Sequence, residues 1–544
     1  MVLDISVKTA EQLSLIAQFD ATASSLGSSP AIVHGDTRLT WADVRDQSRV
    51  LAKALLAGGI SRGDHVALWM PNHPKWLLFW LGAMRIGAAA VPINTRYKPT
   101  EAAYVLEKSE ARALVIEREF LGVDYAEAFS TICPDWDGHS STKLPKLARV
   151  IVDGSALEGL QSFEEFAATA ALVSDAELGR AETQTQPDDT VIVVFTSGTT
   201  GNPKGVMHTH NALRMLRALA DHMGIGPEDR ILGHLPLFHV AGVFSSFLLA
   251  MIKGGALIQL DQWNPRHALE LIAREGVTVM SGVPTHFIDI LRHPDLNDFD
   301  RSSLRIGWIG GATIPAEVLA GARDRLTMET LLPVYGMTEN TAVTVVGGRT
   351  DAQDILIAGK GRPLGGYEVE VVDPKTREPE SAGTEGEIRV RGYLVMKGYY
   401  REEAATQAVL KPDGWFYTGD LGVFDGHGYL SITGRLTDKF IVGGNNVHPA
   451  DIEHSLTAHQ DVKQAHVVSR PDDRLGEVAV AFIELVPGAT STPDDLIAHC
   501  RRLLADFKVP REVIIVNDWP TTATGKVQRF KLREIAASKA SQPK

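Results

Sequence analysis

The stretch TSGTTGNPKG at residues 196–205 follows directly on the apolar run VIVVF at residues 191–195. A short, continuous run of β-branched and aromatic residues is typical of a strand buried in a sheet. The glycines that follow permit close approach of the backbone to a ligand, the hydroxyl side chains donate hydrogen bonds, and Lys204 adds a compact positive charge. We interpret the stretch as a loop that wraps a polyphosphate where a buried strand ends.

The spacing within this loop differs from that of the common nucleotide-binding loop. GTTGNPKG lacks the pattern G-x-x-x-x-G-K-[ST], and Pro203 argues against a helix that starts directly after the glycines. A flexible surface loop is the simpler interpretation of a segment rich in glycine and hydroxyl residues. The sequence around the loop has to decide between the two interpretations.

Residues 190–340 alternate between short β-branched runs and helical periods. The strand patterns ALIQL, VTVM, SLRIGWIGG and METLLPVYG are interleaved with helical patterns such as residues 211–224 and 265–276. Strands in series with helices predict a parallel sheet that is covered by helices on both faces. Ligands of such sheets collect at the carboxyl ends of the strands, where the loop at residues 196–205 is expected.

The pattern changes twice after this α/β region. From about residue 366 the alternating runs YEVEVVD and GEIRVRG, separated by turns such as DGHG, predict a smaller β-rich unit. From about residue 440 the helix HPADIEHSLTAH, the strands QAHVVS and EVAVAFIELV, and a helix capped by Thr492 follow one another. These elements predict a separate small α+β domain.

The composition is that of a globular protein with several folding units. Of the 544 residues, 44% are hydrophobic and 22% are charged, and the formal net charge is −13. This acidic balance without a basic run argues against nucleic-acid binding. Two cysteines, Cys133 and Cys500, exclude a disulfide framework and a cysteine-rich metal site. The start of the chain lacks a signal-peptide pattern and the apolar stretches are too short to span a bilayer, so we expect a soluble cytoplasmic protein.

Six motifs, in order along the chain, resemble those of the adenylate-forming superfamily, which comprises acyl-CoA synthetases, peptide-synthetase adenylation domains and luciferases. The loop at residues 196–205 resembles the superfamily's phosphate-binding motif. The others are LPLFHVAG at 235–242, IGGATIP at 309–315 with YGMTE at 335–339, YTGD at 417–420, GRLTDKFIVGGNNVHPADIE at 434–453, and PTTATGKVQRFKLRE at 520–534. One such motif is weak evidence, whereas the ordered set is specific.

The resemblance implies a fold and a division into domains. A large N-terminal domain at residues 1–434 is expected to hold helix-covered mixed and parallel sheets, with a distorted β-barrel from a β-rich unit that starts at about residue 340. A hinge at residues 435–438 then leads to a small, mobile α+β lid domain at 439–544. At the hinge, Thr437 stands where the superfamily usually has aspartate or lysine, with Asp438 next.

The resemblance also implies a reaction in two halves. A carboxylate attacks the α-phosphorus of ATP to give acyl-AMP and pyrophosphate, and the thiol of coenzyme A then takes the acyl group. Both halves depend on positioning and on charge neutralisation. ATP, Mg²⁺ and coenzyme A are the implied cofactors and substrates, and dimers are common in the superfamily, so a homodimer is compatible with the resemblance.

Roles for individual residues follow from their places in the motifs. Glu339 resembles the magnesium ligand and a catalytic residue, and Asp420 resembles the acceptor of the ribose hydroxyls. Lys526 resembles the catalytic lysine that bridges the carboxylate and the α-phosphate during adenylation. The ATP- and AMP-binding residues that the motifs imply are Thr196, Ser197, Gly198, Thr199, Thr200, Gly201, Lys204, Gly311, Ala312, Tyr335, Gly336, Thr338, Asp420 and Arg435. Within that set, Tyr335 is expected to stack on adenine and Thr338 to contact phosphate.

The implied acyl pocket is made of small or apolar residues together with His239. They are His239, Ala241, Gly242, Val243, Gly310, Gly311 and Val334. His239 resembles an aromatic residue that gates the carboxylate pocket between the half-reactions. Peptide-synthetase domains usually carry aspartate at this place to hold the substrate amine, so His239 disfavours amino-acid substrates. We expect a medium-chain, alicyclic or aromatic acid.

Two further pairs of residues complete the expectations. Gly443 and Gly444 are expected beside the thiol arm of coenzyme A. His208 and His210 have metal-like spacing, but no cysteine or acidic partner lies nearby in the sequence, so we expect no metal there.

An AMP-forming carboxylate–CoA ligase is therefore the first hypothesis. The alternatives are a fatty acyl-AMP ligase that loads a carrier protein, a luciferase-like enzyme, and a noncatalytic sensor of acyl groups or nucleotides. The joint presence of Lys526, Glu339 and Asp420 weighs against a sensor. No tethered carrier domain is recognisable in the sequence, which favours free coenzyme A as the acceptor.

Overall fold

The computed structural model describes the following residues: 14–154, 157–196, 203–312, 314, 316–393, 395–436, 438–442, 445–472, 474–521 and 527–540. By compactness the chain divides into two units. Unit 1 comprises Met1–Glu368 and Arg391–Phe416, and unit 2 comprises Val369–Val390 and Tyr417–Lys544. Unit 2 takes in strands that precede residue 434, and the predicted division at 434 with a hinge at 435–438 stays a prediction. Within the described ranges, no helix is both long and apolar enough to cross a membrane.

The first sheet of unit 1 contains the strands that flank the phosphate-loop motif. Numbered along the chain, its strands in spatial order are β20 (Gly398–Tyr399), β11 (Lys204–Thr209), β10 (Thr190–Thr196), β4 (Ala89–Pro92), β3 (His65–Trp69), β5 (Ala113–Glu117), β8 (Arg149–Asp153) and β9 (Gln161–Ser162). β10 runs parallel to β4, whereas β11 returns antiparallel to β10. The motif is thus followed by a strand, in agreement with the argument from Pro203 against a helix.

The second sheet of unit 1 carries the remaining α/β motifs. Its strands in spatial order are β2 (Thr37–Thr40), β1 (Pro30–His34), β13 (Ala256–Gln259), β12 (Arg230–Gly233), β14 (Ile306–Gly310), β15 (Thr330–Tyr335), β16 (Val345–Val346) and β17 (Arg362–Pro363). Single bridges from Val279 to Ile231 and to Ile306 join β12 to β14. The prediction of a full strand at VTVM is wrong: the segment lies between β12 and β14 and makes only isolated bridges with them. A separate hairpin pairs β6 (Glu119–Phe120) with β7 (Val123–Asp124).

Helices cover both faces of these sheets, as the sequence predicts. Within β3, Val66 and Leu68 belong to one apolar core, and Ala67 and Trp69 to another on the opposite face. The helices of unit 1 are α1 (Leu15–Ser25), α2 (Trp41–Ala57), α3 (Pro74–Arg85), α4 (Pro99–Ser109), α5 (Tyr125–Ile132), α6 (Phe163–Ala168), α7 (Asp175–Gln184), α8 (Ala212–Met223), α9 (Val240–Gly242), α10 (Leu249–Lys253), α11 (Pro265–Glu275), α12 (Pro284–Leu291), α13 (Ala316–Leu326), α14 (Gln353–Ile357) and α15 (Glu403–Val409).

Unit 2 consists of two sheets and three helices within the described residues. The first sheet has the order β18 (Tyr367–Val372), β19 (Gly386–Gly392), β21 (Phe416–Phe424) and β22 (Leu430–Arg435). The second has the order β24 (Asn445–Val447), β23 (Phe440–Val442), β26 (Gly476–Leu485) and β25 (Val462–Asp472), with β27 (Glu512–Ile515) on β26. The helices are α16 (Pro449–Thr457), α17 (Pro493–Leu503) and α18 (Arg529–Ala540). Thr492 caps α17 by accepting a hydrogen bond from the Asp495 amide, which confirms the predicted helix start.

Candidate active site

Lys204 is fixed by the sheet that contains the phosphate-loop motif. Thr196, the last residue of β10, pairs with Lys204, the first residue of β11. On its other side β11 pairs with β20, and the Tyr400 amide donates to the Gly205 carbonyl at 2.7 Å. The Lys204 ammonium lies 5.0 Å from the centre of the Tyr399 ring, within the range of a cation–π contact. The strands thus hold a positive charge at the end of the motif.

Glu339 is buried next to this strand pair. Only 9% of its surface is exposed, and the Tyr399 hydroxyl donates to its Oε1 atom at 3.0 Å. The Met396 amide donates to the Glu339 carbonyl at 2.8 Å. Residues 396–399 therefore hydrogen-bond to both the backbone and the side chain of Glu339. Burial and the Glu339 carboxylate raise the pKa of the Tyr399 phenol, which therefore acts as a neutral donor. Sequence reasoning did not single out Tyr399, because it belongs to none of the six motifs and lies 60 residues from Glu339 in the chain.

The YGMTE motif continues into a strained turn. Gly336 is required there, since a Cβ atom would lie 2.1 Å from the Ala342 carbonyl oxygen. Thr341 and Ala342 adopt positive φ values of 61° and 79°, which non-glycine residues rarely do. Such strain concentrates at ligand sites, where the surrounding structure holds it in place. Tyr335, at the end of β15, is half-buried.

A buried histidine on β11 contacts this turn. His208 on β11 is 3% exposed, and its Nδ1 atom lies 3.5 Å from the Thr341 hydroxyl. Burial lowers the pKa of His208 to about 4, against the hydrogen bond to the Thr338 backbone, so the imidazole is neutral at physiological pH. No group of His, Cys, Asp or Glu side chains that could form a metal cluster occurs within the described residues. His208 thus contacts the turn at Thr341 and at the Thr338 backbone, and the expectation of no metal at His208 and His210 stays a prediction.

The polar atoms around Glu339 fit a nucleotide phosphate group with its cation. Asn340 Nδ2 and Thr344 Oγ1 are buried next to the turn, and neither has a hydrogen-bond partner among the residues that the structure describes. Amide and hydroxyl groups of this kind donate well to phosphate oxygens. The Tyr399 hydroxyl engages one oxygen of Glu339, and the carboxylate has a second oxygen to offer a cation such as Mg²⁺.

The segment predicted to line the acyl pocket is an irregular helix. His239 caps its start, with Nδ1 accepting from the Ala241 amide at 3.4 Å. Gly242 has no room for a side chain, because a Cβ atom would lie 2.1 Å from the Pro236 carbonyl oxygen. Residues Val243–Leu248 form a π-helix between α9 and α10, a rare geometry that is frequent at functional sites. The sequence contains no signal for this π geometry.

The glycines of IGGATIP lie beside the end of β15. Gly310 pairs with Val334, and a Cβ atom on Gly310 would lie 2.5 Å from the Val334 carbonyl oxygen. Gly311 has a φ of 80°, and both Gly311 and Ala312 are exposed. Val334 and Ala241 pack against the same apolar core, to which Val243 also belongs. The tertiary structure thus brings the predicted acyl-pocket residues of three separate segments to one side of the second sheet.

In unit 2, the predicted ribose contacts form an ion pair. Asp420 on β21 lies opposite Arg435 on β22, and the Arg435 Nε atom donates to Asp420 Oδ1 at 2.8 Å. Asp420 is 6% exposed, and its amide donates to the Thr418 hydroxyl. The sequence assigned both residues to the nucleotide without predicting that they contact each other. Arg435 thus holds one oxygen of the Asp420 carboxylate in place, and the ribose role of both residues stays a prediction.

Several predicted site residues lie outside the described residues, and their roles stay predictions. They are Ser197, Gly198, Thr199, Thr200 and Gly201 of the phosphate loop, Thr437 of the hinge, Gly443 and Gly444 of the coenzyme A segment, and the catalytic candidate Lys526.

Comparisons with known proteins agree with this geometry. Residues 19–400 match the model of the AMP-binding enzyme family, and residues 451–526 match that of the AMP-binding enzyme C-terminal domain. The 3-[(3aS,4S,7aS)-7a-methyl-1,5-dioxo-octahydro-1H-inden-4-yl]propanoyl:CoA ligase of Rhodococcus jostii is 37% identical, over 94% of this chain and 96% of its own length. The mitochondrial medium-chain acyl-CoA ligase ACSF2 of Mus musculus is 33% identical, over 95% of this chain and 86% of its own.

Solved structures agree as well. The anthranilate CoA ligase AuaEII in complex with anthranoyl-AMP superposes with a TM-score of 0.86 at 26% identity, and the match covers 98% of both chains. ATP-bound MatB from Rhodopseudomonas palustris superposes with a TM-score of 0.83 at 28% identity, covering 96% of this chain and 99% of its own. The chain therefore belongs to the AMP-binding enzyme family and, within the adenylate-forming superfamily, to the acyl-CoA ligases.

Proposed function

We propose that the chain ligates a carboxylic acid to coenzyme A in two steps, through an acyl adenylate. The observation that carries the proposal is the buried Glu339 carboxylate, which accepts a hydrogen bond from the Tyr399 hydroxyl. The ring of Tyr399 in turn lies beside the Lys204 ammonium, at the strands that flank the phosphate-loop motif. A buried carboxylate is unfavourable unless charge partners neutralise it, and a cation shared with phosphate oxygens would do so.

In the first step the residues of the chain position the reactants and neutralise charge. A carboxylate oxygen of the acid attacks the α-phosphorus, the bond to pyrophosphate breaks, and acyl-AMP remains. Lys204 and Thr338 contact phosphate oxygens in this proposal, and Asp420 accepts from the ribose hydroxyls. Glu339 would hold Mg²⁺, which supplies positive charge to the phosphate oxygens when bound. Lys526 would hold the carboxylate against the α-phosphorus and stabilise the negative charge that develops there.

In the second step the thiol of coenzyme A loses its proton to solvent and attacks the acyl carbonyl carbon, and AMP leaves with the bonding electrons. Gly443 and Gly444 are proposed to line the path of the thiol arm, and His239 to gate the carboxylate pocket. The relatives are named as CoA ligases, which supports coenzyme A as the acceptor.

We also propose a cytoplasmic location and a homodimer.

The acid is proposed to be medium-chain, alicyclic or aromatic. None of the other predicted acyl-pocket residues is charged, and His239 is not a carboxylate that would hold a substrate amine. Acids of the medium-chain and alicyclic classes appear in the names of the two relatives.

The test is pyrophosphate release from ATP with a panel of acids, followed by thioester formation when coenzyme A is added. Acid-dependent pyrophosphate and an acyl-CoA product are expected for at least one medium-chain, alicyclic or aromatic acid. A panel that releases no pyrophosphate with any acid would contradict the proposal. Adenylation without transfer to coenzyme A would overturn the choice of acceptor alone.

Replacement of Glu339 by glutamine is expected to lower kcat for pyrophosphate release about a hundredfold, because the neutral amide is a poor ligand for a hard cation. The rate should be measured across a range of Mg²⁺ concentrations. The control is Glu403→Gln, at an exposed position in the first turn of α15. Full activity of Glu339→Gln at ordinary Mg²⁺ would show that this carboxylate does not hold the cation.

Replacement of Tyr399 by phenylalanine removes the hydroxyl that orients Glu339 and keeps the ring beside Lys204. Residues that hydrogen-bond to a metal ligand typically contribute 10- to 100-fold in metal affinity or activity. We therefore expect the Mg²⁺ concentration for half-maximal rate to rise about tenfold. Tyr393→Phe is the matched control, since that ring is half exposed and stacks on Arg214. An unchanged Mg²⁺ dependence would show that the hydroxyl has a packing role only.

A further inference from the structure

The backbone that leads into Lys204 is held from outside the sheet by a tyrosine. Within the described residues, the pairing of β10 with β11 ends at Thr196 and Lys204. The Pro203 carbonyl, one residue before Lys204, accepts a hydrogen bond from the Tyr104 hydroxyl at 3.2 Å. Of the described residues, Tyr104 alone donates to this carbonyl. The hydroxyl therefore fixes a point of the backbone that the sheet itself does not hold.

The ring of Tyr104 is fixed by an apolar core that it shares with the strands of the phosphate-loop motif. Tyr104 lies in the middle of α4 and is half-buried. Its ring packs against the same core as Phe195 of β10 and Met207 of β11. A tyrosine has only two side-chain torsions, so a packed ring places its hydroxyl at one defined position.

α4 also contacts the chain just after β20. Lys108 Nζ lies 3.2 Å from Glu402 Oε1, and the Arg401 guanidinium pairs with the carboxylate of Glu110, directly after α4. These pairs are partly exposed, so each contributes little on its own. β20 carries the aromatic ring that lies beside the Lys204 ammonium. One helix thus contacts both the segment before this lysine and the segment that carries its aromatic neighbour.

The same core contains a second hydrogen bond of this kind, away from the predicted site residues in the sequence. The Tyr125 hydroxyl, on α5, donates to the Thr95 carbonyl at 2.8 Å. Tyr125 is fully buried in the core against which Tyr104 packs. The two bonds join the same chemical groups, and only that of Tyr104 reaches the phosphate-loop motif.

We propose, resting on the ligase function proposed above, that Tyr104 is a positioning residue for the phosphates of ATP. Its hydroxyl holds the Pro203 carbonyl, and the backbone at that point sets the position from which the Lys204 ammonium meets phosphate oxygens. A misplaced cation weakens the binding of phosphate before and during the reaction alike. Loss of the hydroxyl therefore raises KM for ATP and leaves kcat almost unchanged.

The experiment replaces Tyr104 by phenylalanine in the full chain and uses an acid that releases pyrophosphate with the unmodified chain. KM for ATP is expected to rise about three- to fivefold, the effect of one hydrogen bond. kcat and KM for the acid should stay within about twofold. KM for supplied acyl-AMP in thioester formation should change less than KM for ATP, because acyl-AMP carries one phosphate instead of three.

The matched control is Tyr125→Phe, which removes the same kind of bond from the same core. Since the bond of Tyr125 is shorter and its side chain is fully buried, this variant should lower Tm at least as much as Tyr104→Phe does, with an unchanged KM for ATP. Equal rises of KM for ATP in the two variants, or an equal rise of KM for ATP and for the acid in Tyr104→Phe, would indicate a general loss of packing and contradict the assignment.

The outcomes separate this inference from the ligase function. An active Tyr104→Phe variant with an unchanged KM for ATP, or one with a lower kcat and an unchanged KM, would overturn the positioning role alone. No pyrophosphate release by the unmodified chain with any acid of the panel would overturn the ligase function itself.

Discussion

Replacement of Lys526 by alanine is expected to lower the rate of acid-dependent pyrophosphate release about 100- to 1000-fold. The physical reason is electrostatic: negative charge gathers on the α-phosphate oxygens as the carboxylate attacks, and a positioned ammonium stabilises it more in the transition state than in the ground state. Thioester formation from supplied acyl-AMP and coenzyme A begins after that charge has developed. This second half-reaction should therefore keep most of its rate in the variant.

The control for Lys526 is Lys531→Ala, at an exposed position in α18. Both half-reactions should proceed normally in that variant. Equal loss of adenylation and of thioester formation in Lys526→Ala would contradict a role specific to adenylation. If Lys526→Ala kept the rates of both half-reactions, another cation would have to perform the role assigned to Lys526.

Replacement of Arg529 by methionine is expected to lower the free energy of unfolding by about 3 kcal/mol, because it leaves the buried Glu453 carboxylate without its partly exposed partner. Arg529 Nη2 lies 2.7 Å from Oε1 of Glu453, and Arg529 Nη1 donates to the Val467 carbonyl. Glu453 is 6% exposed and also accepts from the Val467 amide. Burial raises the pKa of Glu453, and the charge of Arg529 partly opposes that rise.

Urea denaturation followed by far-UV circular dichroism measures this effect. Arg502→Met, at an exposed position in the last turn of α17, is the control and should change stability by about 0.5 kcal/mol or less. The double variant Arg529→Met with Glu453→Gln should recover part of the loss, because the buried charge is then removed. A single variant as stable as the unmodified chain, or a double variant with no recovery, would show that the pair carries no such energy.

The Arg529 network lies directly after the segment that carries Lys526. Arg529 Nε approaches Asp438 at 3.9 Å, and Arg533 donates to the same carboxylate at 2.8 Å. Asp438 adjoins the hinge position predicted at Thr437. The start of α18 is thus tied to the strand region next to that position by charges within unit 2.

The local sequence alone predicted many of the secondary-structure elements and loops of this chain. Strand and helix patterns, the cap at Thr492 and the glycine loop depend on residues close together in the chain, and short-range sterics and periodicity decide them. The fold class and the family followed from motifs of that kind, and the comparisons confirm both. The segment VTVM, predicted as a strand, makes only isolated bridges, because continuous pairing depends on the paths of both neighbouring strands, which no local pattern records.

Other features arise only when distant segments meet. Tyr399 touches Glu339 because β20 pairs with β11 next to the phosphate-loop motif, and the sequence shows no signal for that pairing. Asp420 meets Arg435 across two strands, and the Tyr104 hydroxyl on α4 meets the Pro203 carbonyl 99 residues further along the chain. The sequence specifies which chemical groups are present, because those are set residue by residue. Which of them become buried, paired or left without a partner is decided by long-range packing, since burial and electrostatic environment belong to the folded chain as a whole.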